Sequence, residues 1–402
     1  METRVHTLKA PAIRTYDRGL LAAMLLLIAF GSLMIYSSTS VITPVLARRN
    51  ISEFYYFKRH MFTMALGFLV FFFAYRIKPA FLKRAAVPML ICSFILLLMV
   101  FLPYIGVTAG GARRWIRLWP TTFQPSELVK LSMVIFLARY LSMPDYNPES
   151  FSSFIRPLIV MASFQVVFLK QPDFGSTMSL AFLTFAMLFI SGMRMRYIAS
   201  VLVLAIPVVF KLVMEPYRLR RVTSFLDPWK DPLGSGFQLA QSFIALGSGG
   251  VTGLGLGESK QKLAFLPASH TDFIVCMVGE ELGLIGVSIL ISLFVFLFTR
   301  GISISNRSQD KFVCYLSYGL TLMISLQALI NFAVVTGMVP TKGLPLPFLS
   351  YGGSALLVNM AAVGLLLRIS RGDETLPEHE NRAAKVRRVA RRNIYGGKGA
   401  EA

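Results

Sequence analysis

Three acidic residues occur in one mostly apolar stretch of the sequence, "LPASHTDFIVCMVGEELGLIG" at 266–286. Asp272 comes first, and Glu280 and Glu281 follow about two helical turns later. An acid in a membrane helix usually faces a bundle interior or a watery cavity, where an aspartate can accept a proton as a general base. Ser269 and Asp272 also have the spacing of a capping box, so a structural role for Asp272 stays open.

Glu280 and Glu281 point in different directions from the predicted helix. At about 100° per residue, Glu280 is offset roughly 80° from Asp272 and Glu281 roughly 180°. We predict that one of the two glutamates braces or gates a substrate cavity. The alternative for this pair is a buried structural link to a cation such as Lys130 or Lys211.

Cationic side chains that could complement these acids are concentrated in three polar segments. The segments are "GGARRWIRLW" (110–119), "EPYRLRRVTSFLDPW" (215–229) and "PTKGLP" (340–345). Arginine forks suit phosphate oxygens, so acids and cations together suit a lipid-linked pyrophosphate; interfacial anchoring of Arg and Trp is the alternative. The predicted substrate-binding residues are Arg113, Arg114, Trp115, Arg218, Arg221, Lys342, Glu280 and Glu281.

The cofactor predictions are a divalent cation and no nucleotide. Mg²⁺ or Mn²⁺ would bridge substrate phosphates and one carboxylate, for which Asp272 is the candidate, because the sequence contains no dedicated metal cage. The run "GSGGVTGLGLG" (247–257) aligns loosely with a dinucleotide fingerprint, but that fingerprint needs a preceding strand and a βαβ unit. We interpret the run as a flexible or closely packed loop.

Membrane helices must position these segments. Of the 402 residues, 55% are hydrophobic and 15% are charged, a composition typical of a polytopic membrane protein. Apolar runs near the roughly 20 residues needed to cross a bilayer predict an all-α protein with about ten transmembrane helices. The runs lie at 18–38, 61–76, 86–105, 126–143, 154–170, 174–192, 197–215, 271–299, 312–336 and 348–370.

The predicted organisation is a tail at 1–17, a ten-helix membrane domain at 18–370 and a basic tail at 371–402. An even number of spans puts both basic ends on one side, which the positive-inside rule makes the cytoplasm. A large loop at 216–270, between spans seven and eight, then faces outward with the predicted chemistry. The net charge of +21 indicates anionic membrane lipid rather than nucleic acid as a partner.

Several longer motifs, taken together, resemble a known family. The chain is similar to the SEDS family (shape, elongation, division and sporulation) of bacterial cell-wall glycosyltransferases from residue 16 to residue 370, and most like its cell-division member. The motifs that carry the resemblance are "GGARRWI", "QPSELVKLS", "QPDFGS", "EPYRLRRVTSFLDPW", "GSGFQLAQS", "GLGLGESKQKLAFLP", "HTDFI", "GEELGLIG" and "PTKGLPLPFLSYGGS".

The resemblance implies a ten-helix enzyme of the bacterial inner membrane that polymerises lipid II on the outer face during septal wall synthesis. It implies a class B penicillin-binding protein and other division proteins as partners, and Asp272 as the catalytic residue. The family's β-linked product from an α-linked donor implies one inverting displacement with release of undecaprenyl pyrophosphate. Ala268 departs from the family, in which related division proteins often have Glu. A lipid II flippase and a noncatalytic division scaffold are the alternatives.

Overall fold

The computed structural model describes residues 16–39, 55–109, 112–118, 121–214, 219, 223–234, 236–261, 271–340 and 343–372. Within these ranges, ten long helices occupy the positions of the ten predicted spans, and a shorter helix, α8, lies in the long loop. The helices are α1 (Arg18–Thr39), α2 (Tyr55–Arg76), α3 (Pro79–Met99), α4 (Pro125–Leu141), α5 (Phe151–Lys170), α6 (Phe174–Ile190), α7 (Met195–Val213), α8 (Phe237–Ser248), α9 (Ile274–Arg307), α10 (Lys311–Val335) and α11 (Gly353–Ser370).

Among the described helices, seven are long and apolar enough to cross a membrane by themselves: α1, α2, α3, α5, α9, α10 and α11. The other three of the ten are α4 and α6, with 17 residues each, and α7. α4 contains Glu127 and Lys130, and most of its residues are buried against α3, α6, α10 and α11. Burial in a bundle interior is where such polar residues are tolerated. The chain is an all-α polytopic membrane protein.

The bundle core forms around α4, α10 and α11. α11 packs along α2, α10 contacts α4, α6 and α9, and α1 lies against α9. Gly364 of α11 allows the close approach of α2, because a Cβ there would lie 2.6 Å from the carbonyl oxygen of Phe71. The segments that precede α4, α6, α9 and α11 meet at one end of the bundle, called here the site end. Nearly all of the predicted tails, 1–17 and 371–402, lies outside the described residues, so the domain boundaries stay a prediction.

A small antiparallel sheet at the site end was not predicted from the sequence. It contains β1 (Gly106–Ala109), β2 (Ala112–Leu118) and β3 (Thr121–Phe123) in the order β1-β2-β3. Val107 pairs with Trp115 and Thr108 pairs with Arg113, so Arg114 is the extra residue of a β-bulge in β2. A bulge redirects a side chain, and of these three residues Arg114 is the one that contacts the turn before α6.

α9 is interrupted within its first three turns at Gly283, whose φ of 65° and ψ of −161° suit glycine. A break in a membrane helix frees backbone groups that need other partners. The glycine-rich run supplies them: the N–H of Leu284 donates to Gly250 O at 3.0 Å, and the N–H of Gly255 donates to Glu281 O at 3.0 Å. The run 247–257 is therefore a closely packed loop against the break.

Candidate active site

Asp272 lies in a turn at the site end, two residues before α9 begins. Its carboxylate faces the loop that follows α10, because a Cβ built on Gly343 would lie 3.0 Å from Oδ2. Asn331 Nδ2, from α10, donates a hydrogen bond to the backbone oxygen of Asp272 at 2.9 Å. A capping box that begins at Ser269 would place Asp272 at the third position of the helix. Since Asp272 precedes the first position and the N-cap residue Phe273 makes no side-chain cap, the box does not describe this turn.

The surroundings of Asp272 change its acidity. Burial raises the pKa of Asp272 to about 6, and the positive charge of Arg114 opposes that increase, because desolvation disfavours a charged carboxylate. The side chain is still mostly ionised at neutral pH, and it is a stronger base than an ordinary aspartate of pKa about 3.9. A pKa near the working pH suits a general base.

Arg114 connects the sheet to the turn between α5 and α6. Its Nε donates to the carbonyl oxygen of Gln171 at 3.3 Å, its Nη2 donates to the carbonyl oxygen of Pro172, and its Nη1 lies 3.8 Å from Asp173 Oδ1. The guanidinium therefore stabilises the position of β2 at the site end while its charge acts on Asp272. Of the three residues predicted in the 110–119 segment, Arg114 is the one that the structure brings to Asp272.

Asp173 is a residue of this cluster to which sequence analysis gave no role. It caps α6: Ser176 donates its backbone N–H to Asp173 Oδ1 at 3.2 Å and its hydroxyl to Oδ2 at 2.8 Å. Gln124 Nε2, just before α4, donates to Oδ2 at 3.5 Å. The Asp-x-x-Ser spacing before an apolar run signals an N-cap, so the local role was predictable, whereas the contact with Arg114 was not.

Arg113 and Trp115 make different contacts from Arg114. Arg113 donates from Nη1 to Phe101 O at 3.2 Å and from Nη2 to Leu102 O at 2.9 Å, which satisfies carbonyl groups beyond the end of α3. Trp115 is half-buried and pairs with Val107 in β1. The described contacts of these two residues support the sheet, and their predicted role in substrate binding stays a prediction.

Glu280 organises the loop that leads to Asp272. The side chain is 1% exposed, and it accepts hydrogen bonds from the Ser259 hydroxyl, from the N–H of Lys260 at 2.9 Å and from the N–H of Gln261 at 3.4 Å. Two backbone donors and a hydroxyl satisfy the hydrogen-bonding capacity of this buried side chain. Glu280 therefore braces the segment immediately before the undescribed residues 262–270.

Glu281 reaches a different helix, as its predicted direction requires. The Ser37 hydroxyl, at the end of α1, donates to its two carboxylate oxygens at 2.6 and 2.8 Å. The suggested ion pair between this glutamate pair and Lys130 is wrong, because Lys130 Nζ lies 2.8 Å from Glu127 Oε1 within α4. Lys211 is exposed on α7. Glu280 and Glu281 thus bind the chain itself at the break of α9.

A buried polar chain links α4, α10 and the loop beside Asp272. Lys130 Nζ donates to Gln327 Oε1 at 2.8 Å, and Gln327 Nε2 donates to Pro345 O at 2.8 Å. Lys130 and Glu127 are each 2% exposed, so their pairing offsets the cost of burying two charges. These hydrogen bonds anchor the loop beside Asp272 to α4 and α10.

The remaining predicted ligands, Arg218, Arg221 and Lys342, lie outside the described residues. The neighbour of Lys342, Gly343, approaches Asp272. Within the described ranges, no three His, Cys, Asp or Glu side chains gather closely enough to hold a metal ion. A divalent cation at Asp272 stays a prediction.

Comparison with known proteins identifies similar chains over most of the length. The family model FTSW_RODA_SPOVE, described as "Cell cycle protein", matches residues 18–375. A Geobacter sulfurreducens protein named "Probable peptidoglycan glycosyltransferase FtsW" is 42% identical over 365 residues, which cover 90% of this chain and 97% of the relative. A Legionella pneumophila protein of the same name is 40% identical, with 92% of each chain covered.

Two solved structures have the same fold. One, described as "Structural coordination of polymerization and crosslinking by a peptidoglycan synthase complex", matches with a TM-score of 0.73 and 28% identity over 89% of this chain and 98% of its own. The other, the rod shape determining protein RodA of Thermus thermophilus, matches with a TM-score of 0.65 and 26% identity over 91% and 100%. Each similarity covers about nine-tenths of this chain.

Proposed function

Because the chain belongs to the FtsW, RodA and SpoVE family, known as SEDS, we propose that it is a peptidoglycan glycosyltransferase that polymerises lipid II during bacterial cell division. The relatives at 40–42% identity are named FtsW glycosyltransferases and match nearly from end to end. The observation that carries the mechanism is the placement of Asp272, a buried carboxylate with a pKa raised to about 6, beside Gly343 and within the electrostatic influence of Arg114.

Asp272 acts as the general base. The 4-hydroxyl of the acceptor sugar attacks the anomeric carbon of the donor, the bond from that carbon to the pyrophosphate oxygen breaks, and Asp272 takes the hydroxyl proton. Because the carboxylate is a much weaker base than an alkoxide, proton transfer accompanies formation of the new bond rather than preceding it. A single displacement inverts the anomeric centre and needs no glycosyl-enzyme.

Undecaprenyl pyrophosphate gains negative charge as it departs, so cations near Asp272 stabilise the transition state. Lys342 is next in sequence to Gly343, and Arg218 and Arg221 belong to the loop between α7 and α8. These three residues bind the pyrophosphate, and Arg114 supplies positive charge from the sheet. A Mg²⁺ or Mn²⁺ ion bound to the substrate phosphates and Asp272 would add electrostatic stabilisation there.

The same relatives support a proposed partner and a proposed location. A class B penicillin-binding protein is the proposed transpeptidase partner, since a similar structure comes from a peptidoglycan synthase complex. The protein resides in the bacterial inner membrane at the division septum, with anionic lipids around its basic tails. Both termini are cytoplasmic and the site end faces outward, in agreement with the basic residues of the tails.

Polymerisation of purified lipid II tests this function. The full-length protein is assayed in detergent, alone and with a class B penicillin-binding protein, and penicillin keeps the glycan strands uncrosslinked for sizing. We expect glycan chains from the wild-type protein and none from Asp272→Asn. In detergent no membrane separates two compartments, so a flippase or a scaffold would make no glycan there. Absence of glycan chains from the wild-type protein, alone and with the penicillin-binding protein, would contradict the proposal.

A further inference from the structure

Two amide side chains lie one turn apart near the end of α10. Gln327 and Asn331 are 2% and 1% exposed, and residues four apart share one face of a helix. This face points toward the loop 343–346 at the site end, because both amides donate hydrogen bonds to its backbone. Sequence analysis gave neither residue a role.

Asn331 connects two segments that lie far apart in the sequence. Its Nδ2 lies 2.9 Å from the backbone oxygen of Asp272 and 2.8 Å from the backbone oxygen of Leu344. One amide group thus joins the turn that carries Asp272 to the loop that passes its carboxylate. Because both backbone carbonyl groups accept from the same Nδ2, the Asn331 amide fixes the distance between them.

The orientation of Asn331 is set by these two acceptors. Its Oδ1 is buried and makes no hydrogen bond within the described part of the chain, a cost of about 1–3 kcal/mol for a polar group. Rotating the amide by half a turn would place that oxygen against two carbonyl oxygens. The side chain therefore retains the orientation in which both hydrogens donate.

The gap that Asn331 controls is narrow. A Cβ on Gly343 would lie 3.0 Å from Asp272 Oδ2, which is closer than ordinary van der Waals contact. A misplacement of about 1 Å in a reacting group can reduce a rate by about 10²-fold. Small shifts between the turn and the loop are therefore sufficient to misplace the base.

We propose that Asn331 is a positioning residue for glycosyl transfer, which holds Asp272 at a fixed distance from the loop 343–345. The inference rests on the proposed function, since it assumes that Asp272 is the base. Asn331 acts through backbone groups and does not contact the reacting atoms. Gln327 supports the same loop through Pro345 O and receives a hydrogen bond from buried Lys130.

The test compares Asn331→Leu with Asn359→Leu, a matched control. Asn359 is also 1% exposed, lies in α11, and its Nδ2 has no partner within the described residues. In the full-length protein, Asn331→Leu should lower the turnover of lipid II polymerisation by about 10²-fold, with lipid II affinity and thermal midpoint equal to those of Asn359→Leu. Asn331→Asp, which has the same shape and replaces the donating amide with oxygens, should give the same loss.

Gly343→Ala provides the second measurement. It crowds the same gap, so its effect on turnover should be strongly non-additive with Asn331→Leu and additive with Asn359→Leu. If Asn331→Leu and Asn359→Leu reduce turnover equally, or if Asn331→Leu is additive with Gly343→Ala, the positioning role is wrong. Asp272→Asn separates this failure from failure of the proposed function, because an active Asp272→Asn protein would refute the base itself.

Discussion

At the residue scale, Asp272 combines two properties that an exposed aspartate lacks: a raised pKa and a fixed backbone. Burial raises its pKa to about 6, so the ionised form at neutral pH costs folding free energy that the protonated form does not. Functional carboxylates in clefts often have this feature. The folding cost and the proposed catalytic use of Asp272 arise from the same desolvation.

Asp272→Asn should abolish polymerisation without loss of stability, because Asn retains the size of the side chain and lacks its basicity. Since folding raises the pKa of Asp272, the contribution of this residue to the stability of the wild-type protein falls as the pH rises from about 3.9 through 6. The variant should therefore be at least as stable as the wild type at pH 7, and this advantage should vanish below pH of about 4. Glycan synthesis and thermal unfolding against pH are the measurements. Near-normal synthesis by a folded variant would contradict the catalytic assignment.

The activity of the wild-type protein should fall as the pH decreases through about 6, because the base becomes protonated.

At the element scale, the break in α9 determines how the long loop is held. Glu280 and Glu281 occupy the turn before the break and face the loop and α1 respectively. Gly283 makes the break possible, and the glycine-rich run closes over the freed backbone groups. The result is a rigid support just before the segment that leads to Asp272.

Gly283→Ala should destabilise the protein by about 1–3 kcal/mol or more, since alanine is strained at this φ and ψ. Its Cβ would also overlap Gly253 N and Val251 O. Gly192→Ala is the control: its φ of 82° is also positive, but nothing lies within 4 Å of the added Cβ. Thermal unfolding and lipid II polymerisation should both decline more for Gly283→Ala, and equal effects of the two variants would argue against tight packing of the loop.

At the scale of the whole molecule, Asp17 ties three helices together at the end opposite the site. Its carboxylate accepts the N–H of Leu20 at 2.9 Å and the Nε–H of Arg300, from α9, at 3.1 Å, and its own N–H donates to Ser370 Oγ, from α11, at 3.0 Å. Burial raises the pKa of Asp17, but the contacts with Arg300 and Leu20 outweigh burial and hold that pKa below its ordinary value.

Asp17→Asn should lower the thermal midpoint at neutral pH. Because the folded pKa is depressed, this contribution is present above the ordinary aspartate pKa of about 3.9 and is lost as the pH falls through the folded value. Variant and wild type should therefore converge in acid. Glu149→Gln, which removes the exposed ion pair with Arg194, is the control and should change little. A uniform difference at every pH would show that the charge of Asp17 is unimportant.

The orientation of the bundle in the membrane is a separate prediction. In a protein without its three native cysteines, Glu258→Cys should react with an impermeant thiol reagent added outside, and Glu149→Cys and His379→Cys should not. Glu258 and Glu149 are both exposed, so accessibility does not separate them. The opposite labelling would place the site end in the cytoplasm and overturn the outward-facing reaction.

Hydrophobic runs and short motifs were sufficient to predict the membrane helices and the family, and the catalytic role of Asp272 stays a prediction. A membrane helix is a local structure, since its backbone bonds and its apolar length lie within one stretch of chain. α2 and α3 still begin about two turns before the predicted starts, because an apolar run marks the membrane core whereas the helix extends into polar sequence.

Partners of the polar side chains were decided only by the tertiary structure. Ser37 and Glu281 are 244 positions apart, and Asn331 reaches a backbone oxygen 59 positions away. The helical period shows that Glu280 and Glu281 point apart, but not which loop or helix each one meets. Arg113 and Arg114 are adjacent and chemically identical, yet at the β-bulge one contacts the end of α3 and the other contacts the turn before α6, from which its charge acts on Asp272. Such choices depend on how distant segments pack, which no local pattern encodes.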